Sequence, residues 1–367
     1  AEAVRLLISD PELCRRLGEA GRQKVRNEFD VRRTSEKLVA LFDSYEQVNN
    51  ARGSAAARVR ALNWSRLNAM ALGVRKVYER PESFIAEVTI TDGITKRDVI
   101  VRRPRENDDD DPPVVRARNE FEVLSMLRQT LPENHDLTNA IRYTVPRLLM
   151  FDEPNAALVV ERADGKSLAG SLHDSRRNVP ALRRAGIWLH ALQANTRSSD
   201  DGRHILTAVV LLALRDLDLA AAGDRVLRRQ REEIIERLRR LESIVAQRPL
   251  PAVGQHGDYS PENIFIGDHR VDVIDFGRYR EGLPLEDVAH MLLHLELRFW
   301  RWPASRTLPR LRRAFLDGYL DGSGERVIDE EALQLFTLCK ALQLLARGGA
   351  TRGERHVLRN VIARTLS

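Results

Sequence analysis

Cysteine is nearly missing from this chain: 367 residues contain two, Cys14 and Cys339. That argues against a disulfide scaffold and against a cysteine-based metal site. Both cysteines fall within helical patterns. Long apolar runs are missing too. No stretch approaches the roughly eighteen residues of a membrane-spanning helix, and the most apolar helix-like run, Ala208 to Leu214, is too short. No secretory signal pattern is visible, which fits a cytoplasmic setting. The first residue is Ala rather than Met, as in a fragment of a longer chain. Charge, in contrast, is plentiful, at 31% beside 43% hydrophobic residues. This is the composition of a soluble globular protein with room for two or more domains. The net charge is +6, almost all of the positive part from arginine. Such a balance suits anionic partners. Acids interleave the arginines nearly everywhere, however, so solvated helix faces explain the excess without a nucleic-acid partner.

The most informative stretch runs from Gln255 to Gly277, QHGDYSPENIFIGDHRVDVIDFG. Two short β-branched runs, 264–266 and 271–274, flank the turn signal 267–270, which predicts a hairpin. Its closure brings Asn263, at the entry of the first strand, near Asp275, at the exit of the second, with Asp258 close by. These residue types suit phosphoryl transfer from ATP to a hydroxyl. Asp258 can orient the hydroxyl and accept its proton. Asn263 and Asp275 offer the hard oxygen ligands that Mg²⁺ prefers. The pattern H-x-D-x-x-x-x-N followed by D-F-G is the kinase arrangement, with Gly257 where protein kinases carry arginine.

HGDYSPENIFI followed by VIDFG resembles the aminoglycoside phosphotransferase and choline kinase family over residues 62–350. The resemblance implies an α+β, two-lobed, protein-kinase-like fold with a β-rich N-lobe at 61–163 and a mostly helical C-lobe at 164–367. It implies an ATP- and Mg²⁺-dependent transfer to the hydroxyl of a small molecule. Residues 1–48 read as amphipathic helices. They resemble the C-terminal tail of GT-B glycosyltransferases, which implies an upstream sugar-transferring domain and, within a family whose acceptors include sugars, glycans and amino alcohols, tilts the acceptor towards a sugar or glycan. Residues 49–60, small and polar, are the expected linker, and a short helical stretch is expected from Ala61 to Leu72.

Alternation predicts three antiparallel strands at about 73–79, 83–91 and 97–103. Family resemblance places Arg102, on the third, as the cation that holds the α- and β-phosphates; its fork geometry suits phosphate. Arg103 should point to the opposite face. Glu120, on a helix from Val115 to Leu127, matches the acid that pairs with that cation. No G-x-G-x-x-G loop joins the first two strands, leaving Ser83 as the candidate phosphate contact there. The acidic loop at 106–113 reads as a solvated, self-repelling segment. Glu161 and Ala163 stand where the family's hinge would bond adenine through its backbone. His256 is expected to brace the catalytic loop rather than react, and Asp287 to hold that loop through hydrogen bonds. Where the family commonly has Gly-Asp-Pro, this chain has Gly282-Leu283-Pro284, so any role of that acid is lost. In the C-lobe, residues 181–193 and 203–240 are expected as helices, with Trp188 and His190 in the core, and Phe299-Trp300-Arg301-Trp302 as core or acceptor lining. The absence of a long activation loop and of Ala-Pro-Glu argues against a protein kinase. The alternative is a non-catalytic kinase-like module that binds nucleotide and regulates a fused glycosyltransferase.

Overall fold

The computed structural model describes residues 10, 12–13, 15–20, 55–79, 83–106, 112–131, 141–172, 174, 177–299, 307–323 and 327–366. The helical reading of 1–48 lies largely outside them. Three strands form first: β1 (Met70–Glu79), β2 (Ser83–Thr91) and β3 (Lys96–Pro104). All are antiparallel, with Met70 opposite Thr91 and Ser83 opposite Pro104. The β2–β3 turn is organised by the Asp92 carboxylate, which accepts from the amides of Ile94 and Thr95 at 2.9 and 2.7 Å. β1 begins three residues before its expected start. The helical stretch expected over Ala61–Leu72 shrinks to a 3₁₀ turn at Trp64–Leu67, because Asn68 adopts a left-handed conformation that ends it. Residues 55–60, expected as linker, are helical, and Ala55 and Val59 are buried in the same core as Phe84, Val88 and Val101. Their apolar side chains make this segment part of the sheet's packing.

Helix α1 (Pro113–Thr130) opens with Pro113 in its first turn, where the missing N–H costs nothing. Its buried residues are Ala117, Glu120, Leu124 and Leu127, a stripe at helical spacing that includes one acid. The strand β4 (Arg142–Thr144) joins a second sheet, whereas β5 (Leu148–Asp152) and β6 (Ala157–Glu161) complete the first, in the order β1-β2-β3-β6-β5.

The remainder is mainly helical, with small sheets that hold the loops. After β7 (Lys166–Ser167) and the one-turn α2 (Leu168–Ser171) comes α3 (Asn178–Asn195). The helical region expected over 203–240 resolves into three helices, α4 (Arg203–Gly223), α5 (Arg225–Arg229) and α6 (Arg231–Val245). The break is at Asp224, whose carboxylate accepts from the amides of Val226 and Leu227 and so starts a new helix. Strands β8 (Val253–Gln255), β9 (Ile264–Ile266), β10 (Arg270–Val273) and β11 (Arg280–Gly282) follow, then helices α7 (Leu285–Phe299), α8 (Thr307–Ser323), α9 (Glu330–Ala346) and α10 (Arg352–Leu366). The second sheet runs β4-β10-β9-β7, and β8 pairs with β11.

Two apolar cores result. One is the five-stranded sheet with residues 55–69. The other unites the later helices, the hairpin and the inner stripe of α1. Each fully buried Leu or Val in them contributes roughly 1.5–3 kcal/mol. α1 thus packs beside the sheet while its Leu124 and Leu127 belong to the helical core, which puts Glu120 at the junction.

Candidate active site

Two clasps shape the stretch from Gln255 to Gly277. At its base, β8 and β11 pair Gln255 with Arg280, so the chain that leaves at 256 returns by 279. Further out, β9 and β10 form the expected hairpin, with Ile264 opposite Val273. The Ile274 amide donates to Asn263 O at 2.9 Å, which sets Asn263 beside the start of the Asp275-Phe276-Gly277 turn. Phe276 is buried against the His256 ring, centroids 4.6 Å apart. Asp275 itself has φ +72°, ψ +60°, a left-handed conformation that costs a non-glycine residue about 1–3 kcal/mol.

His256 ties the loop to the hairpin. Its Nε2 lies 2.9 Å from Ile274 O, and its Nδ1 accepts from the Asp258 amide at 3.2 Å. That pattern requires the proton on Nε2. Asp287, fully buried on α7, accepts from the His256 and Gly257 amides at 2.6 and 3.0 Å. Burial pushes its carboxyl pKa up, against the pull of His256 and Lys340. Gly257 has φ +78°, and a Cβ there would meet Arg278 O at 2.3 Å. Glycine is therefore required where protein kinases place arginine.

Asp258 is about one-third exposed. Its Oδ1 lies 3.1 Å from His290 Nε2, and the Asn263 amide donates to its backbone oxygen at 2.9 Å and approaches Oδ2 at 3.4 Å. Burial acts to raise the Asp258 pKa. The His290 hydrogen bond and the positive field of Arg278 outweigh it and hold the carboxyl well below its usual range. Burial pushes His290 down to about 3, against the pull of Asp258. At neutral pH the pair is thus a carboxylate and a neutral imidazole.

Across from the hairpin, Arg102 on β3 reaches both Glu120 Oε1, at 2.6 Å, and Asp275 Oδ1, at 2.5 Å. Burial opposes its charge, but Asp275 and Glu120 raise its pKa further still. These residues close the polar end of a cavity of about 440 Å³. Ile85, Ile100, Leu158, Val160, Phe265 and Ile274 form its apolar walls, and Glu161 and Ala163 lie on its rim. The Glu161 amide already donates to Arg147 O at 2.8 Å. Arg103 is near Arg58 and Asp152 instead. Ser83 stands apart from this set. It is drawn into the sheet as the first residue of β2, buried opposite Pro104, and does not line the cavity. The loop before it, 80–82, lies outside the described residues, as do 107–111 and 300–302.

A model of the phosphotransferase enzyme family matches residues 87–336. The chain belongs to the phosphotransferase enzyme family. No curated protein matches the sequence. Among solved structures, macrolide 2'-phosphotransferase MphH from Brachybacterium faecium aligns with a TM-score of 0.50 at 17% identity, covering 82% of this phosphotransferase and 94% of that chain. A choline/ethanolamine kinase family protein from Mesorhizobium loti aligns with a TM-score of 0.48 at 16% identity, covering 87% and 93%. Choline kinase from Cryptosporidium parvum gives 0.48 at 14%, covering 87% and 94%. The sheets and helices of the phosphotransferase, together with the alignment to the macrolide phosphotransferase, show the two-lobed α+β fold, a sheet-based N-lobe and a helical C-lobe, that the motif resemblance implied.

Several residues of this phosphotransferase site escaped the sequence reading. His290 is one turn beyond Asp287 on α7, and i, i+3 residues share a helix face; that spacing was the available signal. Glu286, buried, accepts from the Leu283 amide at 3.0 Å and pairs with Arg280. An acid in the first turn of a helix that reaches back to a preceding amide is a capping signal. It serves the segment where Leu283 replaces an acid. Glu87 on β2 is buried at the cavity and pairs with Arg162 at 3.4 Å. Trp188 is in the core, but His190 is half-buried on a second cavity of about 270 Å³ beside Tyr319. Phe299 is core.

The donor set fits a nucleotide and a hard cation. Arg102 Nε is buried with no hydrogen-bond partner among the described residues, an orphan donor that suits an anionic oxygen. Asn263 spends its NH₂ on Asp258, which leaves its amide oxygen, with the Asp275 carboxylate, as the oxygen donors Mg²⁺ prefers.

Proposed function

We propose that this protein is an ATP- and Mg²⁺-dependent O-phosphotransferase that moves the γ-phosphate to a hydroxyl of a small molecule. The observation that carries the reading is the meeting of Arg102, from the sheet, with Asp275, from the hairpin, at the polar end of an apolar-walled cavity. The cavity takes the adenine between its apolar walls, with the Ala163 and Glu161 backbone at its rim. Arg102, kept in place by Glu120, binds the phosphates through its guanidinium fork. Asn263 and Asp275 hold Mg²⁺, which neutralises phosphate oxygens when bound. Asp258 orients the acceptor hydroxyl and takes its proton as the oxygen attacks the γ-phosphorus and ADP departs. His256 and Asp287 fix the loop that carries it. Ser83 has no part in this scheme.

The acceptor is a sugar, glycan or amino-alcohol hydroxyl: the range comes from the family resemblance, and the preference for a sugar or glycan from the resemblance of residues 1–48 to a glycosyltransferase tail. ATP as donor fits a cytoplasmic setting. The test is a screen of hexoses, hexosamines, oligosaccharides and amino alcohols with Mg-ATP, read by mass spectrometry for added phosphate. Transfer to one class supports the reading. Nucleotide binding without transfer to any of them, and without ADP formation, supports a non-catalytic module instead.

A further inference from the structure

We infer that His290 is the positioning residue for Asp258, donating through Nε2–H to Oδ1 and so fixing the plane of the carboxylate. The inference rests on the reading of Asp258 as the base. Helix α7 references the catalytic loop twice. Asp287, in its first turn, holds the amides of residues 256 and 257, and His290, one turn on, holds the side chain of residue 258. Backbone and carboxylate are thereby registered to one rigid element. A carboxylate held by its backbone alone rotates about its terminal torsion. Anchoring one oxygen removes that freedom and leaves Oδ2, whose approach from the Asn263 amide is long at 3.4 Å, to receive the acceptor proton.

The tautomer follows from the surroundings. His290 is 2% exposed, and its Nδ1 has no hydrogen-bond partner among the described residues. A proton on Nδ1 would leave a buried donor unpaired and turn the Nε2 lone pair towards a carboxylate. With the proton on Nε2 only a weaker acceptor is unpaired. Packing alone accounts poorly for the residue. Its neighbour His294 lies with its ring centroid 4.5 Å away and tilted by 37°, and burying Nδ1 without a partner is unfavourable by an amount that an apolar side chain of similar size avoids.

The test uses the full chain with Mg-ATP and a mixture of sugars and amino alcohols, following ADP formation. In His290→Phe, kcat falls by about 10–100-fold while KM for ATP stays within twofold. Gln places its Nε2 amide where the imidazole carries Nε2, so His290→Gln recovers to within about fivefold of the parent. His290→Asn, whose donor mimics Nδ1, does not. A ¹H–¹⁵N long-range spectrum of the parent shows this imidazole in the Nε2–H form. Equal activity of the Gln and Asn variants, or an Nδ1–H spectrum, overturns the inference. Unchanged kcat in His290→Phe with Asp258→Asn inactive overturns it alone, whereas unchanged kcat in Asp258→Asn overturns the base assignment first.

Discussion

At the scale of single residues, chemistry and conformation are set by a few close contacts. Gly257 is the clearest conformational case, since a methyl group there collides with Arg278 O and the backbone is left-handed. Gly257→Ala is expected to destabilise the fold by at least about 1–3 kcal/mol and to cut turnover; denaturant midpoints and kcat check it, and an unchanged midpoint contradicts it. Titration gives a second case. Between the ordinary histidine value of 6.5 and about 3, the unfolded chain carries a proton on His290 that the folded chain does not. Its contribution is therefore complete above 6.5 and is lost as pH falls through that window, at up to about 1.4 kcal/mol per pH unit. Asp258, depressed below its usual range, adds to the loss at still lower pH. Thermal unfolding at pH 5 against pH 7.5 should show a drop in midpoint that His290→Gln reduces. The convergence of Asp258, Asn263 and Asp275 was legible from spacing, because turn residues mark the hairpin that brings them together. His290 was not read, because its three-residue spacing from Asp287 marks only a shared helix face and not the carboxylate it meets 32 residues away.

At the scale of elements, short-range physics was readable and long-range breaks were not. The β2–β3 pair and the β9–β10 hairpin followed from alternation and turn residues. The start of β1 was missed because Asn68, not a glycine or proline, ends the preceding turn. The break at Asp224 was missed because a single acid within a basic, helix-favouring run outweighs its surroundings by capping α5. Ser83 begins β2, at the expected start of that strand, and is buried opposite Pro104 rather than at the cavity, which strand alternation alone did not reveal. Helix α7 carries a prediction of its own. The Asp287 carboxylate accepts from two amides at once, and an amide side chain has only one oxygen. Asp287→Asn should thus be nearly as damaging as Asp287→Ala, each destabilising by about 2–4 kcal/mol and lowering kcat. Chemical denaturation of both variants tests this, and full rescue by Asn would refute the two-amide role.

At the scale of the molecule, two apolar cores meet at a polar junction. The Arg102 ion pairs cross it, Glu120 from α1 and Asp275 from the hairpin. A ligand that engages Arg102 and Asp275 binds both sides of that junction and should stabilise the whole fold. Mg-ATP at 100 times its Kd is expected to add about 2.7 kcal/mol, with a rise in Tm. Asn263→Ala should keep the increment from ATP with EDTA and lose the extra increment from Mg²⁺, as calorimetry can show. The motif stretch thus identified the transfer chemistry, whereas the acceptor-facing segments carry no comparable chemical signature in sequence. The central claim is that Asp258 accepts a proton during phosphoryl transfer from ATP. Its most direct test is the rate of γ-phosphate transfer in Asp258→Asn beside the parent chain, with Mg-ATP affinity measured on both. The account predicts a loss of at least about 100-fold in kcat with ATP affinity within a few-fold; transfer at the parent rate would contradict it.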